Sequence, residues 1–161
     1  MFGPRYKVPF RRRREGSTDY SHRLKLLKSD KPRAVVRRSN RYYTVQFVSF
    51  GTGGDMIIAS AGSIELRRYG WKGAASNGAA AYLTGILAAS RAKKSGITDA
   101  ILDAGIVNPK RNSGIFAALN GIVEAGVNVP HDPSILVPSE RIEKLAATHG
   151  KLDEIKTKLV N

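Results

Sequence analysis

Tyr42-Tyr-Thr-Val-Gln-Phe-Val-Ser-Phe50 is the stretch of this sequence that decides its fold. Its side chains alternate with the period of a half-buried strand: Tyr43, Val45 and Phe47 share one face, and Tyr42, Thr44 and Gln46 share the other. Residues Arg33–Arg38 form a shorter run of the same kind, and Ser39-Asn40-Arg41 between the two runs is a turn sequence. The two runs therefore predict a β-hairpin.

The chain after this hairpin predicts a third antiparallel strand and then a crossover. Gly51–Gly54 is a tight turn and Asp55–Ala61 a strand, which completes a three-stranded meander. The turn is not a phosphate-binding loop, because no GK[ST] follows it and it joins strand to strand. A short helical turn over Ser63–Arg68 leads to a long helix over Ala74–Ser95, which ends at Gly96.

Thr98–Ala104 is predicted to be a short buried strand. One helix separates it from the third strand, which favours a right-handed crossover to a parallel position. Gly114–Ala125 predicts a packing helix closed by Gly126. The three prolines of residues 127–138 indicate an extended surface segment. Two helices of mixed charge, around Glu140–Thr148 and Leu152–Val160, are expected to be exposed and to order only against a partner.

Upstream of the hairpin the chain is basic and poor in apolar residues. Residues 1–16 predict an extended arm that orders on its partner. A helix follows, capped by Ser17 or Thr18 and ended by Pro32. Its predicted apolar line, which faces the domain, contains Tyr20, Leu24 and Leu27. The prediction is one α/β domain with a mixed sheet over residues 31–126, a basic arm and helix over residues 1–30, and an extended and helical tail over residues 127–161.

Positive charge is concentrated in the first quarter of the chain. Residues 1–41 contain fourteen Lys and Arg against three acids, a net charge of +11, out of +14 for all 161 residues. Four consecutive arginines, Arg11–Arg14, repel one another and match a polyanion. Aromatic residues lie among these charges, including Tyr6, Phe10 and Tyr20, and aromatic rings stack on unpaired bases while arginines bind phosphates. This combination favours RNA over a solvated or targeting tail.

Composition excludes several other classes of protein. The chain contains no cysteine, so it has no disulfides, thiolate metal sites or cysteine nucleophile. We expect neither a signal peptide nor a transmembrane helix, because the apolar runs are short and broken by charge. An enzyme is also disfavoured. His22, His131 and His149 lie in separate segments, and Asp55, Asp99 and Asp103 are too few and too scattered for a two-metal site.

Several motifs, in order, resemble those of one family. They are Arg11-Arg-Arg-Arg-Glu-Gly-Ser-Thr-Asp-Tyr20, Arg23-Leu-Lys-Leu-Leu-Lys28, Lys31-Pro-Arg33, Tyr69-Gly-Trp-Lys-Gly73, Ala81-Tyr-Leu-Thr-Gly85, Ile101-Leu-Asp-Ala-Gly105 with Phe116-Ala-Ala-Leu119, and Val129-Pro-His131. The chain is similar from about Arg5 to His131 to large-subunit ribosomal protein eighteen in its archaeal form, which is related to the eukaryotic 5S-RNA-binding ribosomal protein.

The resemblance implies a structural, non-enzymatic component of the large ribosomal subunit in the cytoplasm. Such a protein binds 5S rRNA and anchors it to 23S rRNA in the central protuberance, beside other ribosomal proteins, with no cofactor, small-molecule substrate or membrane. The RNA-contacting residues that it implies are Arg11, Arg12, Arg13, Arg14, Tyr20, Arg23, Lys25, Lys28, Arg33, Arg37, Arg38, Asn40, Arg41, Trp71 and Lys72.

Two questions stay open at the level of sequence. Trp71, between two glycines, fits a core position as well as an aromatic platform for RNA. Arg37 and Arg38 point to opposite faces of a regular strand, so at most one of them lies on a flat RNA-facing surface unless a bulge or the strand end changes the geometry. An architectural DNA-binding or general polyanion-binding protein is the alternative function, since it would use the same arginines on phosphate.

Overall fold

In the computed structural model, which describes residues 3–147 and 152–160, four strands form one mixed sheet in the order β3-β2-β1-β4. Strand β2 pairs antiparallel with both β1 and β3, and β4 pairs parallel with β1. The strands are β1 (Arg33–Arg38), β2 (Tyr43–Gly51), β3 (Gly54–Gly62) and β4 (Ile101–Asp103). The predicted meander and parallel fourth strand are therefore confirmed, although β4 is only three residues long.

Six α-helices and two short 3₁₀ helices lie within the described residues. The 3₁₀ helices span Glu65–Tyr69 and Pro133–Ile135. The α-helices are α1 (Arg11–Arg14), α2 (Tyr20–Leu27), α3 (Gly78–Lys94), α4 (Gly114–Glu124), α5 (Ser139–Ala146) and α6 (Leu152–Val160).

Helix α3 is the centre of the core. It covers one face of the sheet, where Val36, Val45 and Phe47 are buried, and α4, α5 and α6 pack on its other sides. Every residue from Ala79 to Ala89 is buried, so α3 is enclosed rather than one-sided. Its small side chains allow this, because they let neighbouring backbones approach closely.

The C-terminal helices belong to this core, which corrects the expectation that they are exposed and order only against a partner. Ile142 and Ala146 of α5 are buried, and so are Ile155 and Leu159 of α6. Each pair is spaced by four residues and forms a narrow apolar stripe on a charged helix. Two buried residues per helix are enough here because α3 offers a broad apolar surface.

The N-terminal predictions need three corrections. The arginine run is a single helical turn, α1, and is not extended. Asp19, rather than Ser17 or Thr18, caps α2, and its carboxylate accepts hydrogen bonds from the backbone N–H groups of Ser21 and His22. The predicted apolar line is wrong at two of its three positions, because Tyr20 and Leu24 are exposed. Leu27 is half-buried, as are Leu26 and Arg23.

Candidate nucleic-acid interface

The sheet face opposite α3 carries a mixed set of charged, amide and apolar side chains. Because Ala34 and Val36 of β1 point into the core, Arg33, Val35 and Arg37 occupy the other face. Gln46 and Val48 of β2 lie opposite Val35 and Arg33, respectively, on that face. We call this surface the open face of the sheet.

A groove of about 480 Å³ lies between the open face and the N-terminal segment. Residues of β1, β2 and β3 form its floor, Thr18 to Leu26 form one side, and the loop Ala104–Val107 after β4 forms the other. Helices α1 and α2 have no buried residue. The N-terminal segment therefore stands over the sheet instead of packing flat on it.

An alternating chain of ionic groups joins α2 to the sheet through the groove. Arg23 Nη2 of α2 lies 2.8 Å from Asp55 Oδ2, and Arg33 Nη2 lies 2.7 Å from Asp55 Oδ1. Arg33 Nη1 lies 2.9 Å from Asp103 Oδ2, and Arg37 Nη2 lies 2.9 Å from Asp103 Oδ1. Three arginines and two aspartates leave one net positive charge at this site.

Asp103 is the buried centre of this ionic chain. Burial acts to raise the pKa of its carboxyl, but the charge and hydrogen bond of Arg37, the backbone N–H of Gly105 and Arg33 outweigh that effect, so the pKa lies below its ordinary value. The carboxylate also accepts a 2.8 Å hydrogen bond from Gly105 N, and Arg37 Nη1 donates to the Asp103 carbonyl at 2.7 Å. Asp103 is therefore held as an anion between two arginines.

The burial of Arg33 changes its predicted role. Its side chain is only 5% exposed and is held by Asp55 and Asp103, so it cannot lie on a surface phosphate in this conformation. Arg37 shares Asp103 but is 47% exposed, which leaves its guanidinium partly accessible. Asp55 and Asp103 were not predicted as partners of these arginines. The available signal in the sequence is that Arg33 and Arg37, four residues apart, lie on one face of a strand.

The arginines of α1 divide into paired and unpaired groups. Arg11 Nε lies 2.7 Å from Glu15 Oε1, and Arg12 Nε donates to Thr18 Oγ1 at 2.9 Å. The side chains of Arg13 and Arg14 are exposed and have no ion pair or hydrogen bond with any residue that the structure describes. These two guanidinium groups are therefore available to bind phosphates.

The other predicted contact residues are exposed, with one clear exception. Lys25 and Lys28 face solvent, Tyr20 packs beside Phe10 with 5.8 Å between ring centroids, and Arg38, Asn40, Arg41 and Lys72 are exposed. Arg38 pairs with Tyr43 in the sheet, on the opposite face from Arg37, as the strand alternation predicts.

Trp71 is the exception: it is 2% exposed, which corrects its proposed use as a stacking platform. It belongs to the hydrophobic core, together with Leu66 and the buried residues of α3.

Catalytic groups do not converge at this site. Asp55 and Asp103 are occupied by arginines, and Asp99 bonds to Asn128 and Thr98 at the far end of β4. Among the described residues no three His, Cys, Asp or Glu side chains are grouped as metal ligands. His149 lies outside the described residues. None of the described helices has the length and apolar content needed to cross a membrane.

Comparison with known proteins agrees with this basic, non-catalytic surface. A family model described as ribosomal large subunit proteins 60S L5 and 50S L18 matches residues 4–100, which include most of the arm, strands β1 to β3 and α3. The chain belongs to this family. It is a structural, non-enzymatic component of the large ribosomal subunit.

Individual archaeal proteins match over most of the chain. A large ribosomal subunit protein uL18 from Korarchaeum cryptofilum is 57% identical over 93% of this chain and 78% of its own length. Proteins with the same name from Aeropyrum pernix and Haloarcula marismortui are 52% and 48% identical. These matches cover 87% and 86% of this chain, and 66% and 74% of the respective relatives. The match to the Korarchaeum protein is long enough to extend well beyond residue 100, where the family model ends, and to include α5.

Proposed function

We propose that this family member binds 5S rRNA and anchors it to 23S rRNA in the central protuberance, in contact with neighbouring ribosomal proteins. Family membership supports a place beside rRNA in the large subunit. The observation that carries the proposal is the set of exposed cations on α1, α2 and the β1–β2 turn. The residues proposed to contact RNA are Arg11, Arg12, Arg13, Arg14, Tyr20, Arg23, Lys25, Lys28, Arg37, Arg38, Asn40, Arg41 and Lys72.

The placement of these cations favours a folded RNA over a generic polyanion. Arg12, Arg23 and Arg37 come from three different elements and line one groove. The fixed positions of Arg23 and Arg37, which are held by Asp55 and Asp103, define a spacing that a phosphate backbone must match. Mobile lysines alone would impose no such spacing, and would bind any polyanion by counterion release.

A competitive titration tests the proposal. Purified protein is titrated with folded 5S rRNA, an unstructured RNA of equal length and duplex DNA, each at two salt concentrations. We expect folded 5S rRNA to bind at least about tenfold more tightly, roughly 1.4 kcal/mol, and to keep this advantage at high salt. Equal binding of all three, lost together as salt rises, would instead identify a general polyanion-binding protein.

A further inference from the structure

The groove beneath α2 has the chemistry of a site for a planar ligand as well as for phosphate. Val35 and Val48 lie on its floor and are 8% and 5% exposed, so the floor is apolar and closely packed. Leu26 of α2 and Ile106 and Val107 of the loop after β4 line the same space. Apolar surfaces on the floor and sides suit the two faces of a flat ring.

One polar group in this floor has no structural partner. Gln46 lies directly opposite Val35 and is half-buried in the middle of the groove. Its side-chain amide makes no hydrogen bond to any described residue. A glutamine amide offers a donor and an acceptor in one plane, which matches the edge of a nucleobase. Because this amide is unpartnered and lines the groove, its donor and acceptor are open to a ligand.

Arginine side chains supply positive charge around this amide. The Arg33 side chain is 5% exposed and is held by Asp55 and Asp103, so it contributes charge beneath the groove but no free donor. Arg33 lines the groove together with Arg12, which is exposed, and Arg37, whose side chain is 47% exposed. The groove therefore combines an apolar floor, an unpartnered amide and surrounding positive charge.

We infer that this groove binds one unpaired nucleobase of rRNA, with Gln46 reading its edge and Arg12 and Arg37 holding the adjoining phosphates. The inference rests on the proposed function and adds a specific recognition site to it. Single-stranded bases are recognised in this way, because their edges and faces are free once they leave the stack. A protein side chain is disfavoured as the occupant because the rim carries positive charge suited to phosphate.

The test compares Gln46→Leu with Thr44→Val. Gln46→Leu keeps the bulk of the side chain and removes its donor and acceptor. Thr44→Val removes a polar group from the same face of the same strand, two residues away and outside the groove lining. We expect Gln46→Leu to weaken binding of folded 5S rRNA roughly tenfold without changing the salt slope, since no charge is altered, and Thr44→Val to bind like the wild type.

Chemical probing identifies the base itself. Dimethyl sulfate and carbodiimide are applied to 5S rRNA alone and with saturating wild-type, Gln46→Leu or Thr44→Val protein. We expect one unpaired nucleotide that the wild type and Thr44→Val protect and Gln46→Leu leaves reactive. Thermal unfolding followed by circular dichroism verifies that all three proteins are folded under the binding conditions.

The outcomes separate this inference from the function on which it rests. If the wild type prefers folded 5S rRNA but Gln46→Leu binds and protects the RNA equally well, the nucleobase site is overturned and the proposed function stands. If the wild type shows no preference for folded 5S rRNA, both are overturned.

Discussion

Asp103 is the residue on which the ionic chain of the open face depends. It faces Arg33, which is buried, and Arg37, so the substitution Asp103→Asn leaves the Arg33 guanidinium with half of its charge compensation. Arginine stays protonated in proteins, and breaking a buried pair typically costs about 3–5 kcal/mol. We expect Asp103→Asn to lower the free energy of unfolding by about 3 kcal/mol, measured by urea denaturation.

The control for this prediction is Glu15→Gln. It removes the same kind of charge from the exposed Arg11–Glu15 pair, in which both side chains are at least half exposed. Exposed pairs contribute little, so its unfolding curve should match that of the wild type. Equal stability of Asp103→Asn and Glu15→Gln would contradict a structural role for the buried aspartate.

We also expect Asp103 to make the free energy of unfolding depend on pH. Since the pKa of folded Asp103 lies below its ordinary value of 3.8, its contribution is present above that value and is lost as pH falls through the lower folded pKa. The difference in unfolding free energy between wild type and Asp103→Asn should therefore shrink in acid, below about pH 4. Urea denaturation at a series of pH values measures it, and a difference that stays constant into strong acid would exclude this origin.

At the scale of elements, α3 and α4 approach so closely that two glycines are required. A Cβ at Gly85 would overlap the backbone carbonyl of Ala118, and one at Gly121 would overlap that of Tyr82. We expect Gly85→Ala to destabilise the protein by about 1–3 kcal/mol despite the better helix propensity of alanine, because neither backbone can give way. Thermal unfolding measures this, with Gly53→Ala as the control, since a Cβ there meets no atom within 4 Å.

The C-terminal helix α6 is attached through Lys156. Its Nζ lies 3.0 Å from Glu124 Oε1 of α4 and 5.0 Å from the centre of the Tyr82 ring, and the Tyr82 hydroxyl donates to the same carboxylate. An ion pair and a cation–π contact at partly exposed sites together contribute about 1 kcal/mol. Lys156→Met should therefore increase amide exchange in α6 roughly fivefold. The exposed Lys158→Met serves as control, and equal exchange in the two variants would disprove the attachment.

The elements show what could be predicted from sequence alone. The three antiparallel strands, the crossover helix and the parallel order of β4 follow from alternation and turn residues between Arg33 and Asp103, which are local signals. The burial of α5 and α6 and the enclosure of α3 do not, since they depend on which surfaces meet in three dimensions. Asp19, and not Ser17 or Thr18, caps α2 because its carboxylate accepts hydrogen bonds from two backbone N–H groups.

At the scale of the whole molecule, the two faces of the sheet differ, because one packs the core and the other carries the surface that we propose to bind RNA. One face carries the core built on α3, and the other carries the groove, the ionic chain and the basic arm. Charge counting identifies the basic arm in the sequence but does not distinguish exposed cations from Arg33, whose partners Asp55 and Asp103 lie 22 and 70 residues away in sequence. Long-range pairing of this kind leaves no local pattern in a single sequence.

The unpaired arginines of α1 are expected to contribute to the salt dependence of RNA binding. Arg13 and Arg14 have no partner among the described residues, so phosphates can bind them without displacing a carboxylate. Each phosphate contact contributes roughly 0.7 to 0.9 to the dependence of log K on log salt concentration, so the double substitution Arg13→Gln with Arg14→Gln should lower that slope by about 1.5 for folded 5S rRNA. Arg67→Gln with Arg68→Gln removes the same charge from the exposed 3₁₀ helix outside the groove and should leave the slope unchanged. Equal changes in the two double variants would mean that net charge, and not the position of the arm, determines binding.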